Sequence, residues 1–173
     1  MKIPDSSTVP SEIWDYEDGC GFICIWVILH LQKIDFNFQE IYDFVQFDPK
    51  EGMHVISMAT YLKSKGCDIT FNTDEDLAPT DIEIQHYSIA NTQELSVEPA
   101  LSLQMIGDLL KRGMLSVILM DTLDGCGHLD IVTNINSNVV SLYNYCDMKL
   151  DLLETQINQD AILRQSLTVN YNL

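Results

Sequence analysis

Basic residues are scarce in this sequence, and their scarcity limits the partners that the protein can bind. The chain has 9 Lys and Arg against 26 Asp and Glu among 173 residues, a formal net charge of −17. Such a charge repels nucleic-acid phosphates and anionic lipid head groups, so we expect neither nucleic acid nor a membrane as a partner. Solubility explains the acidity, and attraction of a basic substrate or partner is the open alternative.

The sequence also lacks a long hydrophobic run. Its longest apolar stretch, residues 22–31, includes His30 and has roughly half of the ~20 residues that a membrane helix needs. Residues 1–10 have no apolar run, so we expect no secretory signal and a cytoplasmic location. Five cysteines, an odd number, do not fit the paired framework of a small secreted protein and predict free thiols in a reducing compartment.

Repeats, Gly/Ser linkers and low-complexity tracts are absent as well, so we predict a single domain over residues 1–173. The length and the 46% of apolar residues suffice for one buried core. The sequence has no Gly-rich phosphate loop, no Ser nucleophile elbow and no basic aromatic patch. These absences argue against nucleotide-driven transfer and nucleic-acid chemistry, and no cofactor is implied.

The first half of the chain has the periodicity of helices. From residue 20 the sequence is apolar nearly all round, which is typical of a helix buried on most faces. Asn37 as an N-cap, with Glu40 three residues later, predicts a second helix. A third helix is predicted over residues 53–65, ending before Gly66, and another over residues 102–111.

The second half is dominated by segments typical of strands. These are residues 67–73, 82–89, 114–120, 128–133 and 139–145, and the last two are joined by a turn at 134–138. A short helix at 152–156 and a strand at 167–171 are predicted in the tail. Helices first and a meandering antiparallel sheet second predict an α+β fold.

Cys20 is the candidate nucleophile, because it stands at the start of the predicted buried helix. A cysteine attacks as the thiolate, and the dipole and N–H groups at a helix N-terminus stabilise that anion. Gly21 leaves room for a substrate carbonyl to approach the helix start. Cys24, one turn further on, is expected to pack as a small apolar residue.

A thiolate needs a base, and the base needs an acceptor that orients its ring. His128 follows Gly127 at the start of a predicted strand, whereas His30, His54 and His86 are better explained by packing or exposure. Asn144 lies in the returning strand of the same hairpin, sixteen positions later. We therefore expect the Asn144 side chain to hold the His128 ring by a hydrogen bond.

Short motifs then occur in the order that one peptidase family has. In chain order they are Val9-Pro10, Asp18-Gly19-Cys20-Gly21, Gly127-His128 with an apolar strand, and Tyr143-Asn144. In order and spacing, over residues 9–145, the chain resembles the C39-like branch of the papain-like cysteine peptidases. The resemblance implies a papain-like fold in which N-terminal helices, with a central Cys-bearing helix, pack on an antiparallel sheet. It also implies a thiol-dependent amide hydrolase that acts on a peptide or protein.

The resemblance assigns roles to single residues. Cys20 is expected to be the nucleophile, His128 the general base and then acid, and Asn144 the residue that orients the imidazole. C39-like members usually have Asp at this last position, but papain-like peptidases in general use Asn. Trp14 stands where the family has an oxyanion-binding Gln, so the expected oxyanion donors are Trp14 and the Cys20 backbone.

Glycines complete the expected site, and several alternatives stay open beside it. Gly19, Gly21 and Gly127 are expected to line the substrate-binding cleft. The same Cys-His site could deamidate or transfer acyl groups, or Trp14 could mark an inactive binding module. The chain also resembles a family described as guanylyl cyclase-like, although no residues for metal and triphosphate are evident. Minor alternatives use further cysteines: a Cys20–Cys126 disulfide, or a zinc site from Cys126, His128 and Cys146 with Cys20 or Cys24.

Overall fold

The computed structural model describes residues 3–16, 19–50, 52–122, 127–145, 147–158 and 163–170. Its helices are α1 (Ser11–Trp14), α2 (Cys20–Gln32), α3 (Phe38–Val45), α4 (Val55–Ser64), α5 (Asp81–Thr92), α6 (Leu103–Lys111) and α7 (Leu150–Ile157). Its strands are β1 (Asp68–Thr73), β2 (Ser96–Pro99), β3 (Leu115–Asp121), β4 (Gly127–Ile135), β5 (Val139–Leu142), β6 (Met148–Lys149) and β7 (Gln165–Asn170). The α+β class predicted from the sequence is confirmed.

The strands form one sheet in the order β2-β1-β7-β3-β4-β5-β6. Strands β3 to β5 make the predicted antiparallel meander, which β6, not predicted, extends at its edge. Strand β7 inserts between β1 and β3, antiparallel to both. Strand β2 pairs with β1 in parallel, and α5 makes the crossover between them. The sheet is therefore mixed, and not a simple meander.

Helices cover both faces of this sheet, because alternate strand residues point to opposite sides. On β3, for example, Val117 joins a core with α2, α3 and α4, whereas Ile118 joins a core with α6 and α7. Helix α2 is buried from Gly21 to Leu29, in agreement with its apolar sequence. No helix in the described ranges combines the length and apolar character needed to cross a bilayer.

Local capping signals explain where several helices begin. The Asn37 side chain accepts a hydrogen bond from the Glu40 N–H at 3.1 Å, as predicted for the start of α3. Ser102 caps α6 in the same way through the Met105 N–H at 3.3 Å. The predicted helices before residue 66 and the helix and strand in the tail are also confirmed, with bounds shifted by a few residues.

The strand predicted over residues 82–89 is wrong, because this segment is part of α5. The Thr80 side chain accepts from the Glu83 N–H at 3.2 Å, and the Glu83 carboxylate accepts from the Thr80 N–H at 2.9 Å. This reciprocal capping box fixes a helix start that outweighs the alternating apolar pattern behind it. Strand β2 was not predicted, since all four of its residues are exposed.

The capping box can be tested by removing its hydroxyl. We expect Thr80→Ala to lower the free energy of unfolding by about 1 kcal/mol, because the Glu83 N–H loses its partner. Thr92→Ala, at the other end of the same helix, is the matched control and should change it by less than about 0.5 kcal/mol. Urea unfolding followed by circular dichroism measures both; equal effects would contradict the capping role.

Candidate active site

Cys20 is the first residue of α2, with Gly19 as the N-cap. It is a free thiol of intermediate burial, and its helix packs against β4. The first N–H groups of a helix have no intrahelical acceptor, so Cys20 and Gly21 present donors and the positive end of the helix dipole at this point. This is the environment that favours a thiolate and a developing oxyanion.

Gly19 allows a close approach between the α1 turn and the start of α2. A Cβ atom at this position would lie 2.8 Å from the Ile13 carbonyl oxygen and 3.1 Å from that of Tyr16. The Gly19 N–H donates to the same Tyr16 oxygen at 3.1 Å. The glycine is therefore explained by backbone packing. Asp18, its predicted partner in the turn, lies outside the described residues.

Gly21, which the sequence suggested as room for a substrate carbonyl, makes room for a side chain of the protein. It is buried, and a Cβ atom here would lie 2.9 Å from the Met53 Sδ and 3.0 Å from the Met53 Cβ. Met53 precedes α4, so this contact sets the start of α4 directly against the start of α2. The expected role of Gly21 in substrate binding has no support in this packing.

His128, near the start of β4, is the candidate base, and the structure brings it to Cys20. Its side chain is 21% exposed, and its Nε2 lies 3.6 Å from the Asp130 Oδ2, an ion-pair distance beyond a normal hydrogen bond. Burial alone would lower the pKa of His128, but the Asp130 carboxylate and the Cys20 sulfur outweigh it and raise that pKa to about 9. The imidazolium form therefore persists at neutral pH.

Asp130 holds a carboxylate that is fully buried beside this histidine. Its oxygens accept hydrogen bonds from the backbone N–H groups of Ile131 at 2.7 Å, Asn144 at 3.0 Å and Tyr145 at 3.0 Å. These donors, together with the nearby imidazole, offset the cost of removing the charge from water. The arrangement joins β4 to the segment that follows β5.

The hydrogen bond predicted from the Asn144 side chain to His128 is not made. The amide oxygen and nitrogen of Asn144 are both buried without a hydrogen-bond partner in the described structure. Val132 pairs with Leu142, so Asn144 falls opposite Asp130, two residues beyond His128. Asn144 contributes its backbone N–H to Asp130, and Asp130 occupies the orienting position beside the imidazole.

Three further residues from the sequence analysis differ in their exposure. Trp14 ends α1 with 56% of its surface exposed, so its indole does not fill a buried pocket. Gly127 pairs with Asp121 at the start of β4 and is exposed. Cys24 is completely buried, and burial, followed by Asp130 and Cys20, raises the pKa of its thiol well above the usual value. Cys24 thus remains a packed thiol, as expected.

The disulfide that the sequence left open uses Cys126, and the zinc site uses Cys126 and Cys146. Both cysteines lie outside the described residues. Within the part of the chain that is described, no group of three or more His, Cys, Asp or Glu side chains is arranged to hold a metal ion.

Sequence reasoning missed Asp130 and Tyr145. The signal for Asp130 was present, because residues two apart on a strand project to the same side, and His128 and Asp130 have that spacing. The Tyr145 ring lies 5.5 Å from the His128 ring, centroid to centroid, and no pattern in the sequence indicated this contact.

The packing role of Gly21 predicts the effect of adding one methyl group. We expect Gly21→Ala to lower the free energy of unfolding by about 1 to 3 kcal/mol, since the Met53 Cβ moves only with its backbone. Gly107→Ala in α6 is the matched control: its Cβ would meet Ile135 at an ordinary 3.9 Å, and replacing a helical glycine stabilises by up to about 1 kcal/mol. Opposite signs in urea unfolding would confirm the packing role, whereas stabilisation by both would contradict it.

No protein-family model matches the chain, and no curated protein is significantly similar to it in sequence.

Proposed function

We propose that the protein is a thiol-dependent amide hydrolase of the cysteine peptidase type, acting on a peptide or protein. One observation carries the proposal: the His128 imidazole lies close to both the Cys20 thiol, at the N-terminus of a buried helix, and the buried Asp130 carboxylate. Nucleophile, base and orienting acceptor are the three parts of a thiol hydrolase site. No cofactor is needed for this chemistry.

The proposed first step forms a thioester. The Cys20 thiolate attacks the substrate carbonyl carbon, and the oxygen takes up the negative charge near the N–H groups at the start of α2. Collapse of this intermediate breaks the C–N bond, and the His128 imidazolium gives its proton to the leaving amine. The raised pKa of His128 suits this step, because the acid form is the one present at neutral pH.

The second step returns the enzyme to its starting state. Neutral His128 accepts a proton from water, the water oxygen attacks the thioester carbonyl, and the C–S bond breaks to release the acid and the Cys20 thiolate. Ammonia as the leaving group would make the same cycle a deamidation, and an amine in place of water would make it an acyl transfer. Water as the acceptor gives the hydrolase proposed here.

The proposal assigns the orienting role to Asp130 in place of Asn144. A carboxylate beside the Nε2 atom favours the protonated ring and directs Nδ1 to the thiol. We also propose a papain-like architecture, supported by the Cys-bearing helix that precedes the sheet and by a histidine at the start of a central strand. A reducing, cytoplasmic location fits the free thiols.

A non-catalytic binding module is the second candidate, and the exposure of Trp14 favours it. An exposed indole supplies no preorganised N–H to an oxyanion, and one such donor is worth about a hundredfold to a thousandfold in rate. The two candidates differ in the reactivity of Cys20, which can be measured without knowing the substrate.

Alkylation of Cys20 by iodoacetamide tests the activated pair. We expect fast labelling at pH 6–7, because protonated His128 stabilises the thiolate, and a loss of about tenfold or more in His128→Gln at that pH. The difference should disappear above about pH 9, where His128 loses its proton. Mass spectrometry of the labelled peptides gives the rate for each cysteine separately.

The same experiment contains its own controls. Cys24 and Cys67 are buried, and burial raises the pKa of both thiols, that of Cys67 to about 11, so both should stay unlabelled in the folded protein. Labelling of Cys20 at one rate in the wild type and in His128→Gln would reject the hydrolase and favour the binding module.

The assignment of Asp130 is tested against Asn144. Asp130→Asn keeps the shape of the side chain but removes the charge, so we expect Cys20 labelling at pH 7 to fall by about tenfold. Asn144→Ala leaves the backbone N–H that Asp130 uses and should label at the wild-type rate. The reverse result, with Asn144→Ala slow and Asp130→Asn normal, would restore the orienting role to Asn144. Circular dichroism checks that both variants are folded.

A further inference from the structure

Tyr145 contacts the proposed site in two separate ways. Its backbone N–H donates to the Asp130 Oδ2 at 3.0 Å. Its ring packs against the His128 ring, with centroids 5.5 Å apart and planes inclined by 57°. The side chain is nevertheless 44% exposed, so it is not part of the hydrophobic core.

Packing in the hydrophobic core does not explain why a tyrosine occupies this exposed position. A large aromatic residue that is nearly half exposed gains little from burial at this place. An aromatic face within about 6 Å of a cation attracts it, and the His128 imidazolium lies at this distance.

We propose that Tyr145 is a positioning residue whose ring holds the His128 imidazolium against Asp130 and keeps it directed at Cys20. The inference rests on the proposed function, in which this imidazolium is the acid that releases the leaving amine. Tyr145 acts through His128 and does not itself exchange a proton or touch the thiol.

Other groups also lie near His128, and two of them, Cys20 and Asp130, raise its pKa. Cys20 comes from α2, and Asp130 lies two residues away on β4. Asp121 of β3 pairs with Gly127 next to the histidine. A change of the Tyr145 side chain leaves all of these in place, and also the backbone N–H that Tyr145 gives to Asp130. The contribution of the ring can therefore be isolated.

Histidine NMR is the experiment that measures this contribution directly. The chain has four histidines, and the resonance of His128 is identified by its loss in His128→Gln. We expect Tyr145→Leu to lower the pKa of His128 by about half a unit, which corresponds to an exposed cation–π contact. Tyr145→Phe keeps the aromatic face and should retain the wild-type value. The other three histidines serve as internal controls.

The outcomes separate this inference from the proposed function. A wild-type pKa near 9 that stays unchanged in Tyr145→Leu would overturn the role of Tyr145 and leave the Cys-His-Asp site intact. An equal decrease in Leu and Phe would also overturn it, because the hydroxyl and not the ring would then be responsible. A wild-type pKa near the ordinary 6.5 would reject the charged His128 on which both proposals depend.

The rate profile of Cys20 alkylation gives a second readout. In the wild type, the rate should change in a step near pH 9, where His128 loses its proton. In Tyr145→Leu this step should move to lower pH together with the pKa of His128, whereas Tyr145→Phe should keep the wild-type profile. A purely structural role would lower stability without moving this step. Urea unfolding of the two variants distinguishes these cases. A shift in the pH of the step, at an unchanged free energy of unfolding, supports the positioning role of Tyr145.

Discussion

The buried carboxylate of Asp130 is the constraint on which the rest of the site depends. A carboxylate with no exposed surface is costly unless hydrogen bonds and a cation stabilise it. The hydrogen bonds come from its own strand and from residues 144–145, which ties the end of the β4–β5 hairpin together. Residues 3–32 and 113–148 contain no Lys or Arg, so His128 is the cation that these segments bring to it. The positive charge of His128 and the negative charge of the buried Asp130 therefore stabilise each other.

The fold was predictable where local chemistry is decisive. A continuous apolar sequence after residue 20 can form a stable helix only if most of its faces are buried, and α2 has that environment. Residues 82–89 show the opposite case, because an alternating pattern and a capping box favour different structures there. The sheet order was beyond local reasoning: β7 pairs with β1, almost a hundred residues earlier, and no short pattern specifies such a pairing.

The site was predictable to the extent that it depends on single residue types. A cysteine at a helix start and a histidine at a strand start are visible in the sequence, and the structure brings Cys20 and His128 together. The orienting partner depends on the register of the hairpin. A bulge between Val132 and Asn134 and the resulting pairs put Asn144 opposite Asp130. A register shift of one residue turns a side chain to the opposite face of the sheet, and no residue pattern in the sequence indicated this bulge.

The start of α2 is closely packed, and this bears on how the proposed site could bind an oxyanion with backbone donors alone. Gly19 is packed against the carbonyls of Ile13 and Tyr16, and Gly21 against the side chain of Met53. The helix start is thus packed against the α1 turn on one side and against Met53, which precedes α4, on the other. Backbone N–H groups fixed in this way need no reorganisation when charge develops. In the proposed hydrolase the oxyanion donors would therefore be backbone N–H groups at the start of α2, which do not depend on the exposed Trp14 side chain.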